Sequence, residues 1–226
     1  MAERLSPEAV EQVTHAFGQR EGALILSSLL SGIEDAETLL GIADPLLDVV
    51  VEVFDKVEWA RGIQARGGRY GIHVRLGAQA SSQFLYDRVY PVGAHEAGHA
   101  FRAMTLGDDD DQLNAFHRTV HEGFAEHVKY TVLWGDNYAP EGALNLTEAQ
   151  RKPYDEALVE LICGDPILPD THEAYLDFHR GETKYGNPYR VGRYLFAAYA
   201  TYTGLSVPEL ASVGYAELEN FAGTML

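Results

Sequence analysis

Two stretches organise the chain: His95-Glu96-Ala97-Gly98-His99 and His121-Glu122-Gly123-Phe124-Ala125-Glu126-His127-Val128. In the first, two histidines are four residues apart. On a helix that spacing puts both imidazoles on one face, a turn apart, where both reach a single ion. Glu96 lies one step round, placed to contact a water on that ion without ligating it, which is the mechanical content of H-E-x-x-H. Surface histidines on an ordinary helix would give the same spelling. Against that, the helix has a strong start at Pro91 and a stop at Gly107, and a fitting third ligand follows.

A catalytic zinc ion takes three protein ligands and leaves one position open. Arg102 and Thr105 stand where a metzincin would carry its glycine and third histidine, so that arrangement is excluded. The next candidates lie on a helix expected from about Gln112 to Trp134 and stopped by Gly135. Gly123 and Ala125 are small, which would let this helix pair closely with the first. Glu122 is the favoured third ligand. His121 competes with it, but sits about 100° round the helix, so both do not readily face one ion. Glu126, a turn after Glu122, is placed to accept a hydrogen bond from a ligand histidine and fix its tautomer. His117, His121 and His127 are otherwise expected as rim or core histidines.

The remaining sequence sets bounds. At 226 residues the chain fits one domain, or a domain with a helical annex, and 46% hydrophobic residues suffice for a core. No apolar run reaches the roughly 18 residues a membrane span needs. The start Met1-Ala2-Glu3-Arg4 lacks a signal pattern. A single cysteine, Cys163, is expected buried in Leu161-Ile162-Cys163 and suits a reducing cytoplasm. The net charge of −17 argues against nucleic acid as a partner. It describes a solvated acidic surface, or a preference for basic substrates.

In chain order, Ser6-Pro7-Glu8 starts a helix, and short helical segments are expected to about Leu40. Asp44-Pro45 repeats the signal. Leu46, Val50, Val53 and Val57 recur at helical spacing, so 45–60 is expected as an amphipathic helix, with a strand as the alternative its valines allow. Residues 1–66 are therefore read as a helical segment packing on a core domain of 67–226. Ile72, Val74 and Leu76 alternate with His73 and Arg75, which predicts a strand with His73 on its polar face, away from any metal. Asp108 to Asp111 lack calcium-loop spacing and are expected as helix-start acids. Thr147-x-x-Gln150, Asp170-x-x-Glu173 and Ser206-x-x-Glu209 start later helices, and Gly186-Asn187-Pro188 introduces one from about Tyr189 to Thr203. The whole is α+β and mostly helical, with a small sheet.

H-E-x-x-H followed some twenty residues later by Glu-Gly-x-Ala-Glu resembles the gluzincin metallopeptidases. More closely, residues from roughly 70 to the end resemble a bacterial family of predicted zinc-dependent proteases. Pro188-Tyr189-Arg190-Val191-Gly192-Arg193-Tyr194 is similar to that family's late Gly-Tyr-x-Ile-Gly-Tyr-type helix, departing from it at Pro188 and Arg193. The resemblance implies a zincin-like fold, Zn2+ held by His95, His99 and Glu122, Glu96 as general base, and a peptide or protein as substrate. Related peptidases bring a Tyr or His from a later helix to the oxyanion. Tyr189 is the candidate here, with Tyr194, His172 and His179 behind it. The strand 72–76 is expected to pair with an extended substrate. The competing expectations are a metal-binding regulatory module without peptidase activity and a zinc hydrolase acting on a non-peptide bond.

Overall fold

A computed structural model describes residues 4–42, 48–55, 60–64, 71–106, 114–135, 145–164, 167–168 and 171–226. These residues are mostly helical with one small sheet, and the chain divides into two units, Met1–Met104 and Thr105–Leu226.

The first unit begins with α1 (Pro7–Phe17), where Ser6 Oγ accepts from the Ala9 amide at 3.1 Å and Pro7 supplies the preset φ of a first helical turn. Gly18, at φ 86°, ends α1 and lets α2 (Gln19–Leu40) leave in a new direction. The apolar stripe of α2, Ile25, Leu29, Ile33 and Ala36 among it, is fully buried. Its helix is held to the chain start by Arg4, whose two terminal nitrogens donate to the two Glu37 oxygens at 2.8 and 2.7 Å.

The stretch expected as a helix over 45–60 contains a strand instead, β1 (Asp48–Phe54). The valines satisfy both periods, and pairing decides between them. β1 runs parallel to β3 (Gly71–Gly77) in the register Val49↔Ile72, Val51↔Val74 and Val53↔Leu76. That register lines up the apolar positions of both strands, and Val49, Val51, Ile72, Val74 and Leu76 are all buried. β2 (Ala60–Gln64) pairs antiparallel with the other side of β3, giving the order β1-β3-β2. The sheet thus spans position 66/67, with β1 and β2 before it and β3 after. The central place of β3 also corrects the expectation that an extended substrate would pair with 72–76, because β1 and β2 already hold both edges of that strand. His73 lies on the polar face as expected, its Nε2 3.2 Å from Glu52 Oε2.

α3 (Ser82–Leu106) starts nine residues before the expected Pro91. Ser81 Oγ accepts from the Phe84 amide at 3.1 Å, and Pro91 falls inside the helix, where it withdraws its own N–H from the ladder. α2 and α3 approach backbone to backbone. A Cβ placed on Gly32 would lie 2.1 Å from the Tyr90 carbonyl oxygen, and one on Gly93 would lie 2.5 Å from that of Leu29. The expected stop at Gly107 and the acids Asp108 to Asp111 lie outside the described residues.

The second unit holds α4 (Ala115–Trp134), α5 (Glu148–Cys163), α6 (His172–Arg180), α7 (Pro188–Thr203), α8 (Val207–Leu210) and α9 (Tyr215–Met225). The two capping boxes, at Thr147 and Ser206, are formed as expected. Thr171 rather than Asp170 caps α6, through its hydroxyl and the Ala174 amide. α4 and α7 cross at a pair of glycines. A Cβ on Gly192 would sit 2.0 Å from the Thr119 carbonyl oxygen, and one on Gly123 would sit 2.3 Å from the Gly192 carbonyl carbon. Gly123, expected to serve a pairing with the first histidine helix, is thus used against α7. Around the crossing Phe116, Val120, Phe124, Leu195 and Phe196 are buried.

Cys163 is exposed, which corrects the expectation of a buried thiol. The buried face of α5 is Ala157, Leu158 and Leu161, and two residues beyond Leu161 the helix has turned about 200° toward solvent. Among the described residues no helix is long and apolar enough to cross a membrane.

Candidate metal centre

In the first unit, α3 delivers the H-E-x-x-H residues from its middle. Ala94 and Ala97 are fully buried, and Gly93 meets the backbone of α2, so the helix is fixed on the side adjoining His95. His95 and His99 face each other with their Nε2 atoms 3.0 Å apart and their ring planes at 88°. Two imidazole nitrogens on one tetrahedral zinc, each about 2.05 Å from it, stand about 3.3 Å apart. The pair is therefore within a few tenths of an ångström of a two-histidine chelate. A carboxylate oxygen of Glu96 completes the group, with the three ligand-type atoms all within 4.8 Å of one another. Glu96 is half-buried.

The second unit gathers the other expected site residues on its own helices. Glu122 projects from α4. His179 stands in the last turn of α6, with Nδ1 3.8 Å from Glu122 Oε1 and 3.0 Å from the Tyr189 hydroxyl in the first turn of α7. Local chemistry sets this meeting. Gly181 closes α6 at φ 76°, and a Cβ on it would lie 2.9 Å from Asn187 Cβ. Asn187 in turn caps α7, its Oδ1 accepting from the Arg190 amide at 3.1 Å. The end of α6 and the start of α7 are thereby clamped together, and His179 and Tyr189 with them. Arg118, one turn before Glu122 on α4, brings a guanidinium nitrogen to 3.4 Å from His179 Nε2 and lies over the Tyr175 ring at 4.7 Å.

The sequence points to Tyr189, with His179 behind it. Their mutual contact was not legible, nor was the part of Arg118, although its spacing of four from Glu122 places the two on one helical face. Glu126 is buried, and its Oε1 accepts from Lys129. Two of the remaining histidines of α4 have packing accounts. His117 stacks on Tyr215 at 4.0 Å and 13°. His127 is 1% exposed beside Phe196, and burial, with the nearby Arg193 charge, pushes its pKa down to about 4. His121 is half-buried. Tyr194 belongs to the core, stacked on Tyr154 with its hydroxyl 3.4 Å from Asp155 Oδ1; burial and that carboxylate raise its pKa. The side chain of His172 lies outside the described residues.

Taken separately, the first unit holds a convergent histidine pair with an adjacent carboxylate that could hold a metal ion, and the second holds a phenol in contact with an imidazole. Comparison with protein-family models, curated proteins and solved structures gave no match.

Proposed function

We propose that the chain is a zinc metallopeptidase with a zincin-like fold, in which His95, His99 and Glu122 hold Zn2+ and Glu96 is the general base. The observation that carries this is the convergence of His95 and His99 to 3.0 Å between Nε2 atoms, with the Glu96 carboxylate beside them. Bound zinc would lower the pKa of its water to about 7 and polarise the scissile carbonyl. Glu96 takes the proton from the attacking water and returns it to the leaving amine. Tyr189 donates its hydroxyl hydrogen to the carbonyl oxygen as negative charge develops there. Glu126, held by Lys129, stays on the Glu122 face of α4 as a supporting carboxylate. Substrates are peptides or proteins, and the net charge of −17 describes a solvated acidic surface. A cytoplasmic location accords with a lone, exposed thiol.

Glu96→Gln tests the mechanism. Zinc content by metal analysis should be unchanged, and cleavage of a fluorogenic peptide library should be abolished. Full activity in the variant would end Glu96's role. A parent protein that binds zinc and cleaves no peptide would point to a regulatory module or to hydrolysis of another bond.

A further inference from the structure

We propose that His179 is the positioning residue for Tyr189, donating from Nδ1 to the phenol oxygen and so directing the tyrosine's own hydrogen away from itself and toward substrate. A guanidinium has donors only, and Arg118 presents one 3.4 Å from His179 Nε2. That nitrogen must therefore offer its lone pair, which in a neutral imidazole leaves the hydrogen on Nδ1. Tyr189 Oη and Glu122 Oε1 both stand near Nδ1. Tyr189 Oη, at 3.0 Å, is within hydrogen-bond range, whereas Glu122 Oε1, at 3.8 Å, is not. Tyr189 Oη is thus the acceptor, and its own O–H points elsewhere as a donor. A phenol that accepts a hydrogen bond also becomes a stronger donor, because successive bonds polarise one another.

The imidazole is fixed for this task. Its side chain is 10% exposed, its ring packs on Tyr175 at 4.3 Å between centroids, and the edge of Phe178 closes in at 5.5 Å. The ordered chain is Arg118 N–H to His179 Nε2, then His179 Nδ1–H to Tyr189 Oη, with one member on each of α4, α6 and α7.

The catalytic consequence rests on the metallopeptidase reading, but the hydrogen placement does not, so the two can fail separately. The full chain carrying 15N-histidine is measured by two-bond 1H–15N NMR at pH 8, the His179 signals being those lost in His179→Asn. The expected result is a hydrogen on Nδ1 and none on Nε2. A hydrogen on Nε2, alone or with one on Nδ1, would overturn the proposal. The kinetic arm uses the fluorogenic peptide library. His179→Leu should lower kcat roughly 10- to 100-fold with KM and zinc content unchanged, short of the larger loss seen when an oxyanion donor is itself removed. His179→Asn, whose amide places an N–H where Nδ1 stood, should keep most of the turnover. In a Tyr189→Phe background, His179→Leu should cause no further loss. Equal damage from Asn and Leu, or a full additional loss without the tyrosine hydroxyl, would show that His179 acts otherwise. If the parent cleaves no peptide, the peptidase reading falls while the NMR result still decides how Tyr189 is held.

Discussion

Replacing Gly192 by alanine puts two forces in opposition, and the structure says which wins. Helix propensity favours alanine over glycine by about 1 kcal/mol. The new Cβ, however, would stand 2.0 Å from the Thr119 carbonyl oxygen and 2.6 Å from Gly123 Cα, both backbone atoms of α4. Reaching ordinary contact at 3.4 Å requires the helices to separate by about 1.4 Å at a fully packed crossing, because no side-chain rotation relieves a backbone clash. Overpacking of this kind costs roughly 3 kcal/mol, the upper end of its usual range, so the net loss is about 2 kcal/mol. Gly223, in α9, supplies the control: it is exposed, and a Cβ there meets nothing within 4 Å. Gly223→Ala should stabilise by about 0.5 kcal/mol, less than the full propensity because the helix ends two residues later. Urea denaturation followed by far-UV circular dichroism compares the two variants with the parent. Opposite signs are expected. Gly192→Ala as stable as the parent, or more so, would refute the glycine crossing. Gly123→Ala should be destabilising too, and the double variant should lose less than the sum of both, since one separation relieves both clashes.

Other consequences are open to measurement. His127 has its pKa pushed from its ordinary 6.5 down to about 4, first by burial and then by Arg193. Unfolded chains take up that proton below about pH 6.5 and folded ones only near 4, so stability falls as pH drops through this window, by about 3 kcal/mol in all. A His127→Leu variant should lack that component of the slope; identical pH dependence in both proteins would contradict it. Arg4→Met strips the partner from a Glu37 carboxylate that is 6% exposed and should cost about 3 kcal/mol, with Glu37→Leu restoring much of it in the double variant. A negligible effect of Arg4→Met in denaturation would mean that Glu37 is solvated without it. Glu122→Ala should lose zinc on dialysis while His121→Ala retains it, and the reverse would make His121 the third ligand.

Much of this was legible in the sequence because the deciding chemistry is local. Ser6-Pro7, Thr147-x-x-Gln150 and Ser206-x-x-Glu209 start helices where they stand, and the alternation of Ile72, Val74 and Leu76 gives β3. The His95–His99 convergence follows from a spacing of four on one helix. What was lost depends on partners distant in sequence. The valines of β1 fit a helical period as well as a strand's, and only the register with β3 separates the two. Pro91 reads as a helix start, yet a ladder already begun at Ser82 tolerates it. Gly192 reads as a weak helical position, and only Gly123 opposite explains it. The His179–Tyr189 contact rests on two separate caps, at Gly181 and Asn187, whose closeness no single window of sequence contains.

The proposed metal centre is one ion with three ligands. A crystal structure of the full chain grown with zinc, with anomalous data collected on either side of the zinc edge, tests it most directly. The expected map has a single strong anomalous peak bonded to His95 Nε2, His99 Nε2 and a Glu122 carboxylate oxygen. No peak at the histidine pair, or a peak there with Glu122 turned away, would contradict it.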